Sequence, residues 1–60
     1  MYIYIVKHDE DLNYIGHGLY NTATYEHGIY MNPVEAEQKV KQLSKEEGIE
    51  AYIDRRWITE

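Results

Sequence analysis

Hydrophobic residues are concentrated in three stretches of the chain, at residues 2–7, 14–20 and 24–31, and in the first of them tyrosine alternates with isoleucine. β-Branched and aromatic residues dominate these stretches, which is typical of strands. A polar run at residues 9–11 separates the first stretch from the second, and Asn21-Thr22-Ala23 separates the second from the third. The pattern therefore predicts three consecutive strands joined by polar turns.

The next segment carries the signals of a helix with two defined ends. Asn32 is a favourable N-cap residue, Pro33 suits the first helical position, and Glu35 completes a capping box. Gly48 is typical of a helix C-cap. A narrow apolar stripe lies between these ends at Ala36, Val40 and Leu43. We expect a helix over about residues 33–47 and, because alternation resumes, a last strand over about 49–58.

These elements predict one small α+β domain over residues 1–60, in the order β-β-β-α-β. The sheet is expected to be mainly antiparallel, with the helix packed on one face. The order of the strands stays open, because a right-handed crossover could return the last strand beside the first and parallel to it.

Alternation also divides the side chains of the sheet between two faces. We expect the aliphatic set to face the helix: Ile3, Ile5, Ile15, Leu19, Ile29, Ile49, Ala51 and Ile53. The opposite face, the predicted tyrosine face, then holds Tyr2, Tyr4, Tyr14, Tyr20, Tyr30 and Tyr52, extended by Arg56. One helix covers one side of a sheet, so this face is either solvated or covered by a partner.

Two similar segments, residues 17–20 and 27–30, suggest a hairpin with its loop at Asn21-Thr22-Ala23. In that register His17 lies opposite His27, with Cβ atoms about 5 Å apart. Such a pair is half of a metal site, a pH-sensitive pair whose protonated rings repel each other, or two neutral imidazoles beside the core. The spacing matches no known ligand pattern, so we predict no metal and keep His17 and His27 as weak candidates.

Composition narrows the classes of function. Eleven acids against six bases give a net charge of −5, which opposes binding to nucleic acid. The absence of cysteine excludes disulfides and thiol chemistry and favours the cytoplasm, and no apolar run is long enough for a membrane span. No catalytic set or phosphate loop is present, so we expect neither enzyme activity nor a cofactor. Trp57, near the end of the last strand, is expected to close the thin core.

The hypothesis that follows is a small, acidic, regulatory or inhibitory protein that docks on another protein, or on itself as a homodimer, through the predicted tyrosine face. It presents negative charge to a nucleic-acid-handling partner, by analogy with small phage-encoded inhibitors. One alternative is a protein that binds single-stranded nucleic acid by stacking bases on the tyrosines. Another is a subunit of an oligomeric metal protein that uses His17 and His27.

Overall fold

Two long strands form a hairpin at the centre of the fold. In the computed structural model, which describes residues 1–17 and 19–59, β1 covers Tyr2–Gly16 and β2 covers Leu19–Tyr30. The strands pair antiparallel, and at residues 11–15 and 19–21 the backbone alone is described. Pairing runs along nearly the whole length of both strands, so the hairpin is the largest unit of the sheet.

The hairpin corrects the predicted division into strands 2–7 and 14–20. Residues 9–11, predicted as a turn, pair with residues 22–24 of β2, so the first two predicted strands are one. The chain reverses after Gly16 instead of at Asn21-Thr22-Ala23. Gly16 has φ 100° and His17 has φ 54° there, and a glycine adopts such a conformation without the clash that a Cβ atom causes.

The helix confirms its predicted boundaries. α1 covers Pro33–Glu47, and the side-chain oxygen of Asn32 accepts a hydrogen bond from the Val34 amide at 2.8 Å. At the other end Gly48 has φ 66°, and its amide donates to the Leu43 carbonyl. Both ends are thus fixed by contacts within a few residues, which is why the sequence locates them.

The last strand, β3, covers Tyr52–Trp57, shorter than the predicted 49–58. The sheet has the order β2-β1-β3 and is antiparallel throughout, giving a β-β-α-β domain with one strand fewer than expected. β3 lies beside β1 but is antiparallel to it. Two strands precede the helix instead of the predicted three, so the last strand runs in the direction opposite to the one that a parallel pairing with β1 requires. The Cα atoms span 42 × 31 × 12 Å, so the molecule is a thin slab.

The core lies between α1 and one face of the sheet. Val6, Ala36 and Leu43 are its buried apolar side chains among the described residues. Six partly buried residues pack around them: Tyr4, Tyr30, Val40, Ile49, Ala51 and Ile53. The helix therefore covers the face of β1 that carries Tyr4 and Val6, and Ile3 and Ile5 lie on the other face.

This arrangement overturns part of the predicted division of faces. Val6 pairs with Ile53, so even-numbered residues of β1 share a face with odd-numbered residues of β3. The helix side therefore includes Ile49, Ala51 and Ile53 as predicted, but it takes tyrosines rather than isoleucines from β1 and β2. Ile15 and Leu19 lie outside the described side chains.

The absence of a side chain at Gly28 leaves space for the Tyr30 ring beneath the helix. A Cβ atom on Gly28 would lie 2.9 Å from atoms of the Tyr30 ring, and its φ of 156° is also unfavourable for other residues. The missing side chain thus leaves space for the phenol, and Tyr30 packs against the core.

Candidate protein-docking site

The predicted tyrosine face does not exist as one surface. Tyr4 and Tyr30 pack against the core, and Tyr2 has the same orientation as Tyr4 because it is two residues away on β1. Tyr52 and Arg56 lie on the face that the helix leaves uncovered. The side chains of Tyr14 and Tyr20 lie outside the described part. The structure therefore divides the described tyrosines between both faces.

The uncovered face, which we call the open face, has an apolar centre made of isoleucines. Ile5 pairs with Ile29 on the neighbouring strand, and Ile3 lies two residues before Ile5 on the same side. Ile29 is 60% exposed, whereas Ile3 and Ile5 are half-buried by their neighbours in the sheet. Sequence reasoning placed these residues under the helix and so missed this surface.

An ordered ion network lies beside the isoleucines. Lys7 Nζ is 2.8 Å from Asp54 Oδ2, and Arg56 Nε is 3.0 Å from the same oxygen. The hydrogen bond from Lys7, followed by that from Arg56, lowers the pKa of Asp54 below its ordinary value. In return, the hydrogen bond to Asp54 raises the pKa of Lys7. The network joins β1 to β3 and fixes the charges on the open face.

Asp9 extends the polar part of the open face away from the isoleucines. Its Oδ1 accepts hydrogen bonds from the Thr24 hydroxyl at 2.7 Å and from the Tyr52 hydroxyl at 3.2 Å. Desolvation and the bond to Asp9 raise the pKa of Tyr52. A carboxylate that the sequence indicated as part of a turn thus links all three strands.

Trp57 is on the surface, which contradicts its expected place in the core. It is 64% exposed and meets Tyr2 edge to face, with ring centroids 4.9 Å apart. The Arg55 guanidinium lies 4.5 Å from the centre of the Tyr2 ring. These three residues form an exposed cluster on the helix side of the sheet, at the β3 edge.

A groove runs between α1 and the β3 edge, with a volume of about 260 Å³. Val40 and Ile53 contribute apolar side chains to it, and Glu37 and Lys41 lie on its helix side. Tyr52 completes the lining. The groove lies on the same face and edge as the Trp57 cluster.

The predicted pairing of His17 with His27 is wrong. His17 lies at the turn of the hairpin, whereas His27 contacts the buried His8 through their ring nitrogens. His8 Nε2 lies 3.2 Å from Glu10 Oε1, and the Tyr25 ring stacks on His8 with centroids 5.0 Å apart. Among the side chains that the structure describes, no group of three or more histidines and acids is arranged to hold a metal ion.

Comparison of the chain with protein-family models, with curated proteins and with solved structures found no match. The part of the chain that the structure describes contains no helix with the length and apolar character needed to cross a membrane.

Proposed function

We propose that this chain is a small, non-catalytic binding protein of regulatory or inhibitory type that docks on another protein through the open face. The observation that carries the proposal is the exposed Ile29 beside Ile3 and Ile5, with α1 on the opposite side of the sheet. An apolar centre surrounded by oriented polar groups is the usual composition of a protein interface.

The polar groups around this centre favour a specific docking surface over simple solvation. Lys7, Asp54 and Arg56 are already held by one another, so little side-chain freedom is lost when a partner covers them. Tyr52 supplies an exposed ring whose hydroxyl is fixed by Asp9. Tyrosine and arginine are also among the residues that contribute most to binding energy.

Charge indicates the chemistry of the partner. Asp9 and Glu26 lie on the open face and are exposed, and the whole chain carries a net charge of −5. A partner with an apolar patch and a basic rim, such as a protein that handles nucleic acid, would be attracted over a long range. The cytoplasm, where chains without disulfides are common, is the compartment that we propose.

Stacking of nucleic-acid bases on the tyrosines stays a prediction without further support. Tyr4 and Tyr30, two of the rings proposed for it, pack against the core instead of forming one exposed platform.

The open face is tested by affinity capture of partners from an extract of the native host. Ile29→Asp puts a charge at the apolar centre, so we expect the specific partner to be lost, a reduction of at least about tenfold. The matched control is Val34→Asp, because Val34 is 56% exposed but lies on the helix. This control is expected to retain the partner.

Capture that is unaffected by Ile29→Asp, or lost equally with Val34→Asp, would contradict the proposal. Circular dichroism of both variants confirms that each is folded. Because an acidic surface attracts a basic one, we also expect the association to weaken as salt increases.

A further inference from the structure

We infer that two copies of this chain join through their β3 edges, forming a continuous six-stranded sheet with both helices on one face. The inference is independent of the proposed function, because the open face stays uncovered in such a dimer. Four observations carry it: the hydrogen-bonding groups that β3 directs outward, the charges along β3, the groove beside it and the thin core.

The backbone of β3 has a defined outward-facing set of donors and acceptors. Met1 and Ile58 exchange both of their backbone hydrogen bonds, at 2.9 and 3.1 Å. In an antiparallel pair such residues alternate with ones that point away, so Ile53, Arg55 and Trp57 direct their N–H and C=O groups to the outside. Residues 1–17 and 19–59 place no strand beyond β3, which makes it an exposed edge.

Symmetry restricts how this edge can pair with a second copy. A two-fold axis normal to the sheet places side chains of the same face opposite each other. Residues whose N–H and C=O groups point outward must also lie opposite one another, because only these groups can form hydrogen bonds between the two copies. With the axis at Arg55, Ile53 lies opposite the second copy's Trp57, and all three outward residues are used. With the axis at Asp54, the backbone N–H and C=O groups of Trp57 would lie beyond the end of the second copy's β3 and would have no partner there.

The side chains favour the same register. On the open face Asp54 lies opposite the second copy's Arg56, so opposite charges meet twice, and Tyr52 lies opposite Ile58. Tyr52 and Ile58 are 44% and 38% exposed, so both offer apolar area to bury. Each Arg55 is drawn away from the axis by its contact with Tyr2, which limits repulsion between the two guanidinium groups.

The groove beside β3 accepts the largest exposed side chain of the edge. Opposite Ile53, the second copy's Trp57 lies next to the cavity of about 260 Å³ that Ile53 and Val40 line. Burying a tryptophan there adds the apolar contact that a core of three buried residues lacks.

The inference is tested first by the mass in solution, from sedimentation equilibrium. We expect twice the 7.2 kDa of one chain at micromolar concentration, and a monomer for Trp57→Ala. The matched control is Met31→Ala, which removes a side chain that is 67% exposed away from β3 and is expected to stay dimeric. A wild type that is monomeric up to millimolar concentration would overturn the inference.

Disulfide trapping tests the register and does not depend on Trp57. The natural chain contains no cysteine, so Arg55→Cys introduces a single thiol at the proposed axis, within bridging distance of its copy. With Asp54→Cys the two thiol-bearing residues are diagonal neighbours about 7–8 Å apart, at the limit for a bridge. We expect Arg55→Cys to form the covalent dimer at least about tenfold faster than Asp54→Cys or the surface control Val34→Cys.

Covalent dimer formation that is fastest for Asp54→Cys, or equal for all three variants, would overturn the proposed register. Circular dichroism before oxidation shows that each variant is folded, so a slow reaction reports distance and not loss of structure.

Discussion

Asp54 is the residue at which the charge chemistry of this small molecule is concentrated. Its carboxylate accepts hydrogen bonds from Lys7 and Arg56, and it lies opposite Ile5 in the central strand. Exposed ion pairs usually contribute little to stability. A carboxylate that one cation already holds in place, however, loses less conformational entropy when it pairs with a second cation. Its protonation should therefore be visible in the pH dependence of folding.

We expect this carboxylate to stabilise the fold only while it is ionised. Its folded-state pKa lies below the ordinary value of 3.8, so its contribution is complete above pH 3.8 and is lost as the pH falls through the folded-state pKa. The raised pKa of Lys7 gives the opposite limit: its contribution is complete below pH 10.5 and is lost as the pH rises through the folded-state value. Urea unfolding at a series of pH values measures both effects.

Asp54→Asn should remove the acid-side loss that this group causes, leaving a shallower dependence of the unfolding free energy on pH below 3.8. Glu50→Gln is the control, since Glu50 is an exposed acid before β3. An acid-side slope that is the same in wild type and Asp54→Asn would show that the Lys7–Asp54–Arg56 network is not formed in solution.

Single residues show where sequence reasoning fails. Alternation places Trp57 on the helix side of the sheet, as the structure does, and this favoured a buried position. The helix does not extend over the end of β3, however, so Trp57 is 64% exposed. His8 is buried because it has the same orientation as Val6, two residues earlier on β1. That spacing was the available signal for His8, and no local signal marks Trp57 as exposed.

Among the elements, the helix was predictable and the hairpin was not. The limits of α1 are set by Asn32 and Gly48, which act on the backbone a few residues away. The limits of β1 depend on a partner far along the chain, which supplies the Thr24 hydroxyl that holds Asp9. Strand preference is decided by such cross-strand neighbours, so an acidic run that resembles a turn can lie in a strand.

The outer half of the hairpin is an element with little support. β3 pairs only with residues 2–7 of β1, so beyond Asp9 the two strands continue as a ribbon. A two-stranded ribbon is marginally stable on its own in water. The ribbon is therefore the part of the sheet where local opening should cost least.

We expect amide hydrogen exchange to divide β1 into two parts. The amides of β1 that pair with both neighbours, around Ile5, should be strongly protected, whereas those beyond Asp9 should exchange at least about tenfold faster. Exchange followed by NMR measures each amide separately. Uniform protection along the whole of β1 would show that the ribbon is covered by a further contact, in the same chain or in another copy.

For the molecule as a whole, the sequence predicts the α+β class and the single helix, but not which face of the sheet is covered. Alternation sorts residues into two sets, and in β1 both sets contain large apolar side chains, such as Ile5 and Tyr4. The choice depends on volume: Gly28 leaves room for Tyr30 on one side, and Val6 on that side fits beneath Ala36 and Leu43. Such complementarity arises only when distant elements meet.

The exposure of the Ile29 methyl groups shows which face of the sheet the helix covers. In NMR spectra recorded with a soluble paramagnetic agent, we expect the methyl signals of Ile29 to broaden strongly while those of Val6 and Leu43 stay sharp. Contacts between the Tyr30 ring and the Gly28 α protons should be observed in the same sample. Protected Ile29 methyl groups together with an accessible Tyr30 ring would place the helix on the opposite face of the sheet, and the open face would not exist.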